Sequence, residues 1–465
     1  MTRTSTGVYL YVPAIFSVTN FPSLRTLGDE AHSVLHKICA LHSYFNDSAD
    51  MFENIGWTSW KKSIHPSKVQ ATLTALLIGK VIERDGIYWP KVVDPIGRGK
   101  PLGYRLAEPY RGTLRRVEVV SRRFAAKLLA HRIRYRGEPI SEYDLDAVHR
   151  HLLDWLRRTR IDHEAAYTIV DGAIAQPITL GKRRRGRLVG QYLRHNEARR
   201  AAMKLTVDQV RHSEADFAVC RYGRVHTPIT RMFSGAREAL SINGHGLINL
   251  DVRNSQVVFL ALLMIEHYGW KCQDIANCNS YGGGVLAASL PAVECGVLGS
   301  FADAFRFIAL VVNGVVYDHL MSLSGSTDRS GFKSRFFADV LYGDDSQRYT
   351  RESPLARLFA TEFPTVHRFI RMQKRDNYAN LARLMQIRES DFIIGAVCGR
   401  LLRDYPHVPI LTIHDSILTP EAHANVVQRI MMEEFRRLGI EPSISRTGEH
   451  RVTPTDAAVS ATSGL

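Results

Sequence analysis

The chain has 465 residues, 45% of them apolar and 23% charged, a balance that excludes a disordered or collagen-like polymer and leaves room for two or three domains. No run of 18 or more apolar residues occurs, so a simple membrane-spanning helix is excluded. The net charge of +15 is one-sided: residues 1–215 carry 35 Lys and Arg against 21 Asp and Glu, whereas residues 216–465 carry 26 against 25.

A half this basic points to a polyanionic partner, nucleic acid first among them, although a solvated helical surface has the same composition. The first apolar stretch, Val8-Tyr-Leu-Tyr-Val-Pro-Ala-Ile-Phe16, has a proline and two tyrosines and reads as strand or core rather than a secretory leader. An intracellular, cytoplasmic protein without a membrane partner is expected. Six scattered cysteines form no CxxC pair, so neither a zinc site nor a disulfide framework is expected.

Residues 67–82 predict a helix, followed by a hairpin with strands at 86–89 and 103–106 around the Pro- and Gly-rich tip at 94–101. That order is winged-helix-like, and residues 1–110 are taken as an N-terminal module. Residues 113–160 read as helical. Phe124, Leu128 and Leu129 share a stripe, and residues 144–156 form a second amphipathic segment. The run Lys182-Arg-Arg-Arg-Gly-Arg187 is either a phosphate grip or a solvated loop.

Beyond residue 216 short apolar strands alternate with helices. Residues 247–252 form a predicted strand that carries Asp251 at its end. Residues 408–413 form another, interrupted by His414-Asp415-Ser416. A helix should follow, with Thr419 as its cap, Pro420 in the first position and Val426, Val427, Ile430, Met431, Phe435 and Leu438 on its apolar stripe. Asp251 and Asp415 stand 164 residues apart, each on a strand. Carboxylates brought together in this way are what two divalent cations require for phosphoryl transfer.

The order of segments resembles family A DNA polymerases and their relatives, the single-subunit phage RNA polymerases, over roughly residues 220–440. Tyr222-Gly-Arg224 resembles the segment before the palm, and Leu250-Asp251 resembles motif A. Residues 333–343, ending in Tyr342-Gly343, resemble motif B of the fingers. Met385-Gln386 with Asp391-Phe-Ile-Ile394 resembles the family's Met-Gln helix, and His414-Asp415-Ser416 resembles motif C, with the serine of the RNA-polymerase branch. The resemblance implies an α+β right-hand polymerase. Residues 111–215 would be a basic, helical, thumb-like or template-binding region, residues 216–445 palm and fingers, and residues 446–465 a flexible tail. A phage, plasmid or other mobile element is the expected kind of source.

It also implies roles. Asp251, Asp415 and the backbone carbonyl of Val252 would hold two Mg²⁺ ions, with Mn²⁺ as a substitute. Arg224, Gln386 and His414 would meet primer and template, as would Arg183, Arg184 and Arg185. Tyr342, Gln256 and Arg329 would contact the nucleoside triphosphate. The cation on the triphosphate is Lys333 or Arg335. The family has Lys eight residues before Tyr, whereas Lys333 is nine before Tyr342. In a regular helix Lys333 therefore turns away and Arg335 turns toward the nucleotide, and a one-residue bulge restores Lys333. The family's sugar-gate glutamate is missing after Ser255-Gln256, so Gln256 stands in or no gate exists.

A competing signature is Gly343-Asp344-Asp345, which resembles the metal-binding turn of viral RNA-dependent RNA polymerases. The partner Asp expected five residues after Asp251 is Gln256, and the segment around Gly343 reads as a helix end. No Asp-x-Glu strand of a proofreading exonuclease is evident in residues 1–215. The rival from another class is a catalytically inactive, nucleic-acid-binding relative of a polymerase.

Overall fold

The computed structural model describes residues 5–41, 52–88, 100–175, 196–270, 301–344 and 353–447. The chain divides into two compact units, Met1–Cys220 with Val225–Gly246, and Arg221–Arg224 with Leu247–Leu465. Both mix helices and strands. The break that the sequence puts near residue 110 falls within the first unit.

In the first unit the strand Tyr9–Pro13 pairs antiparallel with Leu114–Glu118, from Tyr9↔Glu118 to Pro13↔Leu114. The helix Gly28–Leu41 buries Ala31, Val34, Leu35 and Ile38, the three-and-four spacing of an apolar helix stripe. Trp60, Phe16 and Leu76 fill the same core. The helix Pro66–Ile78 is capped by His65, with Pro66 in its first position and Gly79 at its end.

Two sequence expectations are corrected here. The hairpin after that helix pairs Ile82–Arg84 with Gly103–Leu106, not residues 86–89. Gly86 has φ +68, a left-handed backbone that takes the chain out of the strand, while Trp89 and the tip lie outside the described residues. The stretch 113–160 is not helical throughout. It contains the strands Leu114–Glu118, Ile133–Tyr135 and Glu138–Pro139 beside the helices Arg122–Ala130 and Ala147–Arg158. Arg136 and Gly137, both with positive φ, form the two-residue turn that folds Ile133–Tyr135 onto Glu138–Pro139.

The second unit is built on the strand His245–Val252 from Leu247 onward. It pairs antiparallel with Ser416–Pro420 on one side and with Ile444–Thr447 on the other, and Leu411–Ile413 adds the outer strand. Leu250, Val252 and Ile417 are fully buried. Phe259 of the helix Ser255–Tyr268, Phe392, and Phe435 of the helix Glu421–Arg437 form one aromatic cluster, with the Phe392 and Phe435 rings stacked 3.9 Å apart. Thr419 does not cap that last helix. It lies in a strand, and its buried hydroxyl donates to the Pro409 carbonyl at 2.8 Å. Arg446 and Thr447, expected in a flexible tail, belong to the edge strand, and residues from 448 lie outside the described ones. No single described helix is long and apolar enough to cross a membrane.

Candidate active site

Asp251 lies on the central strand of the second unit, opposite Ser416 on one neighbour and Ser445 on the other. Asp415 is the second residue of the two-residue turn that joins Leu411–Ile413 to Ser416–Pro420. The amide of Val252 points to the Asp415 carbonyl at 3.5 Å. Residues far apart in sequence are thus neighbours on one hydrogen-bonded framework, and Ser445 Oγ donates to the Asp251 carbonyl at 3.3 Å. His414, the first turn residue, takes a left-handed φ of +53, as short hairpin loops demand.

The two carboxylates sense each other. The Asp251 carboxyl is pushed up to about 7, first by burial and then by the charge of Asp415; Lys333 opposes the shift and Glu389 adds to it. A carboxylate pair in this state lacks compensating positive charge. Carboxylates are hard oxygen donors, the class of ligand that Mg²⁺ takes. Among the described residues no three His, Cys, Asp or Glu side chains are grouped to hold an ion.

Beside the pair runs a polar chain, buried at Glu389 and half-buried elsewhere. Arg224 donates to both Glu389 oxygens at 2.8 Å, and Glu389 is completely buried. Gln256 Nε2 donates to Glu389 at 2.9 Å, and Gln256 Oε1 accepts from the Tyr342 hydroxyl at 2.6 Å. Burial raises the Glu389 carboxyl above the usual range while Arg224 pulls it back, and burial pushes the Tyr342 phenol up to about 12. Gly223 has φ +83, and a Cβ there would lie 2.9 Å from that of Ser390, so only glycine lets this turn approach the helix end. Glu389 was not singled out from the sequence. Its signal was there: a glutamate one turn beyond Gln386 on the same helix face.

The helix Arg329–Phe336 continues as a π-helical segment, Phe337–Leu341, before Tyr342. A π turn inserts the extra residue that rotates Lys333 relative to Tyr342. Lys333 Nζ lies 5.8 Å from the Tyr317 ring and 5.7 Å from the Phe337 ring, and it is the cation whose charge reaches Asp251. Arg335 is exposed and acts on no described carboxylate. Arg329, at the exposed start of the helix, is paired with Asp318. Gly343 and Asp344 follow Tyr342, one residue beyond the π segment; Asp345 lies outside the described residues, as do Arg183, Arg184 and Arg185. A second π segment, Asp391–Cys398, follows Glu389.

These features define a mixed α/β protein whose second unit carries an acidic pair beside a partly buried Arg–Glu–Gln–Tyr chain. No family model matches the sequence, and no curated protein matches it. Among solved structures, the POL domain of Pol1 from M. smegmatis, in complex with DNA primer-template and dNTP, is similar to it. The identity is 13% and the TM-score 0.38, covering 65% of this chain and 69% of that one. A likeness this distant carries no functional argument, so the reading below rests on the residues themselves.

Proposed function

We propose that this chain is a template-directed nucleotidyltransferase that extends a nucleic-acid 3′ end, in the manner of the family A polymerases its motifs resemble. The observation that carries the reading is the juxtaposition of Asp251 and Asp415 through adjacent strands, with one carboxyl pushed up to about 7 by burial and by the other. Such a pair calls for cations. Two Mg²⁺ ions, or Mn²⁺ in their place, held by Asp251, Asp415 and the Val252 carbonyl, would neutralise the attacking and leaving oxygens of phosphoryl transfer.

The other residues take positioning roles. Lys333 is read as the triphosphate cation because a π turn separates it from Tyr342 and its charge already acts at Asp251. Tyr342 and Gln256, joined by their hydrogen bond, are read as the surface that meets base and sugar of the incoming nucleotide. Arg224, Gln386 and His414 are read as the primer and template side, with Glu389 holding Arg224 in place. The basic first half would supply phosphate contacts.

The test is primer extension by the full chain with Mg²⁺ on DNA and RNA templates, each with deoxyribo- and ribonucleotides. Extension in any of the four, lost in Asp251→Asn and Asp415→Asn, is expected. Absence of extension in all four, with the nucleic acid still bound, would make the chain an inactive relative.

A further inference from the structure

The first unit has a half-open cavity of about 500 Å³, within the range of small-molecule pockets, roughly 300–1,000 Å³. The strands Tyr9–Pro13 and Ile133–Tyr135 and the helices Gly28–Leu41 and Trp57–Ser63 contribute its walls. Lys37, Lys62, Arg132, Arg134 and Arg231 line it, against two carboxylates, Glu214 and Asp216.

Both carboxylates are already engaged. Glu214 lies 3.0 Å from Arg116, while Asp216 lies 3.9 Å from Arg132 and 3.7 Å from Arg231. Lys37 donates to the Ser59 carbonyl at 2.5 Å and Lys62 to the Gly137 carbonyl at 2.8 Å, acceptors that carry no charge. The Arg134 guanidinium has no hydrogen-bond or ion-pair partner among the described residues. The buried Nδ1 of His131, also on the wall, has no hydrogen-bond partner among them either.

Converging cations around a half-open cavity, with neutral acceptors and already paired carboxylates, are stabilised by a bound polyanion. We propose that this cavity binds a phosphoryl-bearing ligand of nucleotide size, held by Lys37, Lys62 and Arg134. The crowding has a measurable cost without ligand: burial, Arg134 and Lys62 together push the Lys37 ammonium down to about 8. The phosphoryl group has two sources, a free nucleotide or the phosphorylated end of a strand. The site is independent of the reading of Asp251 and Asp415.

Titration calorimetry on the full chain in EDTA tests it, with ADP, inorganic tripolyphosphate, and a tetranucleotide with and without a 5′-phosphate. Wild type should bind ADP or the 5′-phosphorylated tetranucleotide, and the stronger of the two identifies the source. Lys62→Gln and Arg134→Gln should each weaken that binding about tenfold or more, the effect of losing a charge-assisted hydrogen bond, whereas Lys333→Gln in the second unit should not. Lys62 is exposed, so its variant carries the test if Arg134→Gln does not fold. No binding of any probe, or binding lost in Lys333→Gln and kept in Lys62→Gln, would overturn the proposal.

Discussion

The Val252 amide faces the Asp415 carbonyl at 3.5 Å, so the backbone itself fixes the distance between the two strands that carry the acidic pair. Side-chain substitution leaves that framework intact. Asp251→Asn and Asp415→Asn should therefore each lower Mg²⁺-dependent extension to a few per cent of wild type or less, with the far-ultraviolet dichroism unchanged. Near-normal extension by either variant would remove that residue from the site.

Asp251 also makes a pH prediction. An unfolded aspartate loses its proton near 3.8, whereas the folded Asp251 keeps it up to about 7. Between these values the folded state binds more protons, so in the absence of metal this group lowers stability as pH rises. In urea unfolding with EDTA, wild type should lose about 1–3 kcal/mol relative to Asp251→Asn between pH 5 and pH 8, after allowance for solvent screening. Parallel curves for the two proteins would mean that the fold does not raise the Asp251 carboxyl.

The Arg224–Glu389 pair is buried and bidentate. Removing one partner strands the other, so Arg224→Ala and Glu389→Ala should each cost about 3–5 kcal/mol. The double variant should cost clearly less than the sum, a coupling of about 2 kcal/mol or more in a double-mutant cycle. Additive losses would show that the pair does not act as a unit.

Lys333 and Arg335 are both exposed on the same helix, and the π segment Phe337–Leu341 lies between both of them and Tyr342. Lys333→Ala should reduce single-turnover incorporation at saturating primer–template by about a hundredfold, as expected for a preorganised charge. Arg335→Ala should stay within about threefold, well short of that loss. The reverse order would assign the triphosphate to Arg335.

His414 holds φ +53 without being glycine, a conformation that costs of order 1–2 kcal/mol. His414→Gly should unfold no earlier than wild type in a thermal melt, yet extend primers more slowly. A variant that is equally stable and equally active would make His414 only a turn residue.

The sequence determined a good deal about the second unit. Asp251 and Asp415 sit on alternating apolar stretches bounded by turn residues, and a strand period of two makes such stretches readable locally. The helix carrying Val427, Ile430 and Phe435 was legible from its three-and-four spacing, since all three face the core. The first unit was harder to read. Residues 113–160 are dense in arginine and mask short strands of three to five residues, and the turns at Gly86 and at Arg136-Gly137 depend on backbone torsions that composition does not report.

Only the tertiary structure showed the π turn between Lys333 and Tyr342, because such a turn reflects how a helix packs rather than any residue type in it. It alone revealed Glu389 as the partner of Arg224 and Gln256, an ion pair across 165 residues. It alone gathered Lys37, Lys62 and Arg134 around one cavity. Each of these depends on contacts between distant segments, and burial sets their strength: a carboxylate or an ammonium carries no sign in the sequence of how much water the fold will leave around it.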